Sequence, residues 1–212
     1  MKSFKNWNFE EVEDTFGIEK VENHPILKEW LSSNFEPNEV ERDSLTHLQQ
    51  KLRREVDILN EEELKFRFIG ELINKIDFFN PEYRYFLDRK LGFKKEGELI
   101  EGKVDFMVAR GKQTPKEPFF FLHEYKKEKG YSDDPLGQLL VAMIAAQTHN
   151  QNEHPIYGAY VVGRFWFFVI LEGKEYAVSL AYDTTRKAIF EVFGLLKAVK
   201  NYIDEYIRES KK

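Results

Sequence analysis

Through the first third of the chain apolar residues recur at helical spacing; beyond it they gather into short runs separated by turn residues. HPILKEWLSS reads as a short helix, and NEVERDSLTHLQQKLRREVDIL puts Leu45, Leu48, Leu52, Val56 and Leu59 on one helical face. Asn60 then offers an N-cap with Glu63 three residues on, so a second helix is expected over NEEELKFRFIGELINKI, with Phe66, Ile69, Ile73 and Ile76 as its apolar stripe. Carried back one turn, that stripe passes through Glu62, which predicts an acid pointing inward at the helix start.

From about residue 83 the pattern turns to strands. YRYFLDRKL fits either a strand or a helix. KVDFMVARG reads as a short strand, RGKQTPKEP as a turn rich in breakers, and PFFFLHEYKKE as a second strand, spaced as an antiparallel hairpin. SDDPLGQLLVAMIAAQTHN has Asp at its cap, Pro135 in its first turn and apolar residues on almost every face, so this helix is expected to be buried. PIYGAYVVG, RFWFFVILEG and KEYAVSLAYD follow as strands, and TTRKAIFEVFGLLKAVKNYIDEYIRES as a long amphipathic helix. This order predicts an α/β or α+β fold with a mixed sheet. Residues 1–58 are expected as an N-terminal helical extension packed on a domain spanning 59–212.

Composition supports one unit: 212 residues, 42% hydrophobic and 15% aromatic, are ample for a core. The chain has no Cys, which excludes disulfides and cysteine-ligated metals and permits a reducing compartment. MKSFKNWNFEEVED lacks the apolar centre of a signal peptide and no run reaches membrane-spanning length, so a soluble, cytoplasmic protein without a membrane partner is expected. The net charge of −5 argues against non-specific coating of nucleic acid, which needs many cations set against phosphates. The charge is uneven, however: residues 1–64 carry 8 basic and 16 acidic side chains, whereas residues 89–130 carry 11 and 7. The acidic N-terminal region would suit a protein partner.

The candidate chemistry lies at the end of the FFFLHEYKKE strand. Alternation places Glu124 and Lys126 on one face, behind Phe120 and Leu122, and a hairpin would bring Asp105 of the preceding strand beside Glu124. Two carboxylates at close range repel, and a hard divalent cation relieves that repulsion through oxygen ligands. A neighbouring Lys could then position a water or stabilise charge on a phosphoryl group. The combination points to metal-assisted phosphodiester hydrolysis. Glu-x-Lys by itself is uninformative, because it recurs at 63–65, 101–103, 172–174 and 209–211; only Glu124 and Lys126 end a strongly apolar strand. The structural alternative is an ion pair of these acids with Lys126 or Lys103. His123 is expected to pack on the opposite face. His149 and His154 are read as part of a polar loop, and RFWFFV as a strand covered on both faces rather than a base-stacking platform.

Together 60-NEEELKFRFIGELI-73, 102-GKVDFMVARG-111, 122-LHEYKKE-128 and 135-PLGQLLVAMIAAQ-147 resemble the PD-(D/E)xK nuclease superfamily, with Val104-Asp105 in place of Pro-Asp. The Gly-x-Val-Asp strand before Glu-x-Lys is most similar to the N-terminal nuclease domain of type I restriction motor subunits and to stand-alone relatives. The resemblance covers residues 60 to about 150 and implies no motor activity. It implies a restriction-endonuclease-like core of mixed sheet flanked by helices. The site it implies has Mg²⁺ or Mn²⁺ held by Asp105, Glu124, the Tyr125 carbonyl and Glu62, with Glu63 the competing helix acid. Lys126 would act on the attacking water and Gln138 would orient substrate or metal-bound water. The implied function is a divalent-metal-dependent nuclease acting on DNA in restriction, defence or repair, as a homodimer where both strands are cut. The alternative is an inactive nuclease-fold module that binds nucleic acid or protein.

Overall fold

The computed structural model describes residues 2–126, 134–150, 152 and 154–211, with the side chains of residues 122–126 outside that description. At its centre β3 (Tyr83–Lys95), β4 (Glu98–Arg110) and β5 (Pro118–Lys126) form an antiparallel meander. Helix α6 (Pro135–Asn150) crosses over to β6 (Ile156–Val162), which runs parallel to β5. From β6 the sheet continues antiparallel through β7 (Phe165–Glu172) and β8 (Glu175–Val178), with β9 (Tyr182–Asp183) also on β7. The expected α/β class with a mixed sheet is therefore observed.

YRYFLDRKL is part of β3. Its hairpin partner β4 is longer than the short strand expected, because the two pair from Tyr83–Arg110 to Lys95–Glu98. Glu96 and Gly97 close the hairpin with φ of 51° and 85°, the left-handed pair whose twist suits a two-residue turn.

Residues 1–58 carry the expected helices α2 (Pro25–Leu31) and α3 (Glu39–Glu55), and they also enter the sheet. β1 (Lys2–Ser3) runs parallel to β4, and β2 (Glu19–Lys20) parallel to β8, on either side of helix α1 (Phe9–Phe16). Phe4 lies so close over Gly102 that a Cβ there would meet its ring, which gives the Gly of Gly-x-Val-Asp a packing role.

The sheet separates two apolar cores. Met107, Phe121, Val169 and Leu171 pack with Val12, Phe16 and the body of α6. Phe106, Phe120, Phe168 and Ile170 pack with Trp30, Leu48, Leu72 and Leu196. These last come from α2, α3, α5 (Gly70–Ile76) and α7 (Ala188–Glu209). α6 is buried on nearly every face, as its composition predicts, and Asp134 accepts from Leu136 N and Phe9 N at its start. β7 is covered on both faces, Trp166 belonging to one core and Val169 to the other. Among the described residues no helix is long and apolar enough to cross a membrane.

The helix after Asn60 departs from its expected phase. α4 (Glu61–Leu64) passes into a π-turn, Lys65–Ile69, before α5. Leu64, Phe68, Leu72 and Ile76 form the buried line, four residues apart at each step, wider than the 3.6 of a regular helix. Ile69 and Ile73 are buried beside them, but Phe66 is 84% exposed and is not part of the core. The inward acid expected from extending the stripe is corrected with it: the Glu62 side chain is 83% exposed.

Candidate functional site

The backbone is irregular on both sides of Asp105. In the β3–β4 ladder Leu87 pairs with Phe106 and Arg89 with Val104. Asp88, which falls opposite Asp105 in that count, has φ of 49°, a left-handed conformation that Asp tolerates better than most residues. On the other side the last β4–β5 pair is Phe106 with Leu122, one residue short of Asp105. Between β5 and β6, His123 pairs with Tyr160 and Tyr125 with Val161, so Glu124 is an extra residue, a β-bulge. Bulges re-aim side chains, so the strict alternation used to put Glu124 and Lys126 on one face is interrupted at Glu124. The side chains of His123, Glu124, Tyr125 and Lys126 lie outside the described residues; their backbone occupies the C-terminal end of β5, where β5 and β6 run parallel.

Asp105, 27% exposed in its side chain, faces the junction of α4 with the π-turn. There its Oδ1 meets Lys65 Nζ at 3.2 Å. The same ammonium donates to Glu61 Oε1 at 2.9 Å and to Glu62 Oε1 at 3.2 Å. Among the described residues three carboxylates thus converge on one cation. Burial pulls the Lys65 pKa down, but Asp105, then Glu61 and Glu62, outweigh it and the net shift is upward, so the ammonium stays charged. Neither Lys65 nor Glu61 stood out in the sequence, although their i,i+4 spacing is that of a helical ion pair.

Glu62 and Glu63 make different local contacts. The Glu63 side chain accepts from Asn60 N at 2.8 Å while its own N donates to Asn60 Oδ1 at 2.9 Å, a capping box that turns it away from Asp105. Glu62, though exposed, shares Lys65 with Asp105. Lys103, expected as a partner for these acids, bonds Asp88 Oδ2 at 2.9 Å instead.

Gln138 is fully buried in the first turn of α6, and neither its Oε1 nor its Nε2 has a partner among the described residues. Burying an unpaired amide is costly. His149 lies in the last turn of α6 and not in the expected polar loop, its Nε2 3.0 Å from the Gly92 carbonyl, while His154, in the connection to β6, packs edge-on against Tyr206. Among the described residues no group of three His, Cys, Asp or Glu side chains is arranged to hold a metal, a set that leaves out the Glu124 carboxylate.

A groove of about 860 Å³ opens beside Asp105, between the α4–α5 helix and β3, with Phe66, Tyr85 and Leu87 on its walls and Glu62 and Lys65 at one end. Tyr85 stacks on Phe106 at 5.6 Å between ring centroids, which braces that wall. No protein-family model and no curated protein matches the chain.

Proposed function

We propose that this chain is a divalent-metal-dependent nuclease of the PD-(D/E)xK type, cutting phosphodiester bonds in DNA. The observation that carries the reading is the gathering of Asp105, Glu61 and Glu62 around a single cation, Lys65 Nζ, beside the bulge that marks Glu124. Carboxylate oxygens suit a hard ion such as Mg²⁺ or Mn²⁺, and the set would be completed by Glu124. Two of these oxygens stand 3.2 Å from the same ammonium, so at most twice that distance separates them. The order of a helix, an antiparallel three-strand meander, a crossover helix and a parallel strand supports the same reading. So does the position of the cluster by the C-terminal end of a parallel strand, where ligands of α/β sheets bind.

In this mechanism Asp105, in the middle of β4, would be the anchoring carboxylate, and Glu62, Glu124 and the Tyr125 carbonyl would complete the oxygen set. An ion held there would supply Lewis-acid polarisation of the scissile phosphate. Lys126 would act on the attacking water, and Gln138 would orient substrate or water from the start of α6. The groove past Phe66 and Tyr85 receives the chain on one side of the cut. Cleavage of both strands would call for a second copy.

A second reading has its own support: Lys65 already balances Asp105 and Glu62, as in a purely structural ion cluster. The chain would then be an inactive nuclease-fold module that binds nucleic acid or, through its acidic N-terminal region, protein. Incubating plasmid, linear and single-stranded DNA and RNA with Mg²⁺ or Mn²⁺ separates the two. Cleavage is expected for wild type and is lost in Asp105→Ala and Lys126→Ala. If pure, folded wild type cuts no substrate better than these variants, the nuclease reading is lost.

A further inference from the structure

Lys65 is gripped more tightly than a helix-surface lysine needs to be. Among the described residues its Nζ has three carboxylate oxygens at 2.9, 3.2 and 3.2 Å, and only 21% of its side chain is exposed. Two of the three acids are its own helical neighbours, at i−4 and i−3, so the helix alone would supply a surface ion pair of small value. Asp105 is different. It comes from the middle of β4 and meets Lys65 at the first residue of the π-turn, next to Phe66, which faces out.

We infer that Lys65 is a built-in competitor for the metal: its ammonium sits on the Asp105 and Glu62 oxygens that a divalent ion would use, so the ion binds by displacing it. This rests on the nuclease reading and adds a control to it. Without metal, Lys65 neutralises the acids and keeps them together at little electrostatic cost. With metal, the lysine gives up Asp105, and its flexible four-carbon stem, rooted in the π-turn, lets the ammonium swing toward the groove. Metal affinity is thereby set weaker than the carboxylates alone would give, so that occupancy follows the concentration of free ion.

The inference separates occupancy from simple charge. Lys103 carries the same charge on the same strand as Asp105, two residues away, but is bonded to Asp88. Removing it lowers the local positive potential without freeing Asp105. A competitor at the metal position predicts a much larger effect from Lys65.

The test measures Mn²⁺ binding by calorimetry on wild type, Lys65→Met, Lys65→Gln, Lys103→Met and Asp105→Ala, without substrate. Lys65→Met and Lys65→Gln are expected to bind with a Kd about tenfold lower than wild type, the equivalent of about 1.4 kcal/mol. Lys103→Met should stay within about twofold, and Asp105→Ala should not bind, since the ion loses its anchoring ligand. On wild type itself, acylation of Lys65 followed by peptide mass analysis should rise several-fold on adding Mn²⁺, because the freed amine is more exposed. If wild type binds through Asp105 but the Lys65 variants bind no tighter than Lys103→Met, or Lys65 acylation does not rise, the competitor role is overturned and the metal site stands. If neither wild type nor the Lys65 variants bind Mn²⁺, the metal site fails and this inference with it.

Discussion

Trp30 tests whether the N-terminal fifty-odd residues fold as one unit with the sheet. It sits in α2, fully buried, and its Nε1 donates to the Leu195 carbonyl of α7 at 2.9 Å. Its ring stands edge-on to Tyr157 of β6 and to Phe168 of β7, both at 5.1 Å between centroids. One side chain therefore ties α2 to the C-terminal helix and to two central strands. Trp30→Ala loses the buried ring, worth about 3–5 kcal/mol with its cavity. It also loses a hydrogen bond of about 1 kcal/mol net. The Leu195 carbonyl lies within α7, so it need not be left unsatisfied. The expected loss is about 4–6 kcal/mol, a large part of the roughly 5–15 kcal/mol that holds a domain together. Trp30→Phe keeps an aromatic ring in place and should lose about 1–2 kcal/mol, chiefly the hydrogen bond and the smaller ring. Urea unfolding followed by far-ultraviolet circular dichroism reads both, as a lower midpoint with an unchanged slope. An Ala variant whose main transition stays within about 1 kcal/mol of wild type, or splits off a separate early step, would refute the reasoning. The N-terminal region would then be a separately folding layer.

Two further outcomes follow from the helix phase and from the buried tyrosines, beside the cleavage and Mn²⁺ tests above. Phe66→Ala should change stability by no more than about 0.5 kcal/mol, because the ring is already in water, whereas Phe68→Ala should cost about 3–5 kcal/mol; comparable losses in urea melts would deny the π-turn. Burial raises the Tyr83 pKa well above 10.0, helped by the hydrogen bond its hydroxyl donates to Asp204 and by the nearby negative charges, and Tyr157 and Tyr176 are raised by burial first as well. The folded state then keeps protons that the unfolded chain releases, so this stability is complete below about pH 10 and falls above it, by up to about 1.4 kcal/mol per pH unit for each such tyrosine. Urea midpoints measured between about pH 8 and about pH 12 should fall accordingly, less steeply in Tyr83→Phe; phenolate absorbance that appears for all ten tyrosines near the ordinary value in the folded protein would contradict it.

Much of the framework follows from the sequence because the relevant physics is local or compositional. α6 is apolar on every side, so it has nowhere to lie but between layers, and Asp134 and Pro135 mark its start. β7 carries aromatics on both faces and is covered on both. The Asn60–Glu63 capping box is a four-residue signal and forms as read. Counting by a constant period fails where neighbours override the period. The expected stripe ran through Phe66 because a regular helix was assumed; the π-turn inserts a residue, so Leu64, Phe68 and Leu72 join Ile69, Ile73 and Ile76 on the buried side and Phe66 is left in solvent. The bulge at Glu124 and the left-handed Asp88 are likewise set by the strands alongside, so no inspection of β5 or β3 alone reveals them. The two-residue strands β1 and β2 carry no periodicity to read and exist only by pairing with β4 and β8. The sequence by itself determined which segments are helix or strand, which faces are apolar, and that acids and lysines crowd the end of β5. Only the tertiary structure decided that Lys65 stands among Asp105, Glu61 and Glu62, because that meeting joins residues forty positions apart through a helix phase and a sheet irregularity that local pattern does not encode.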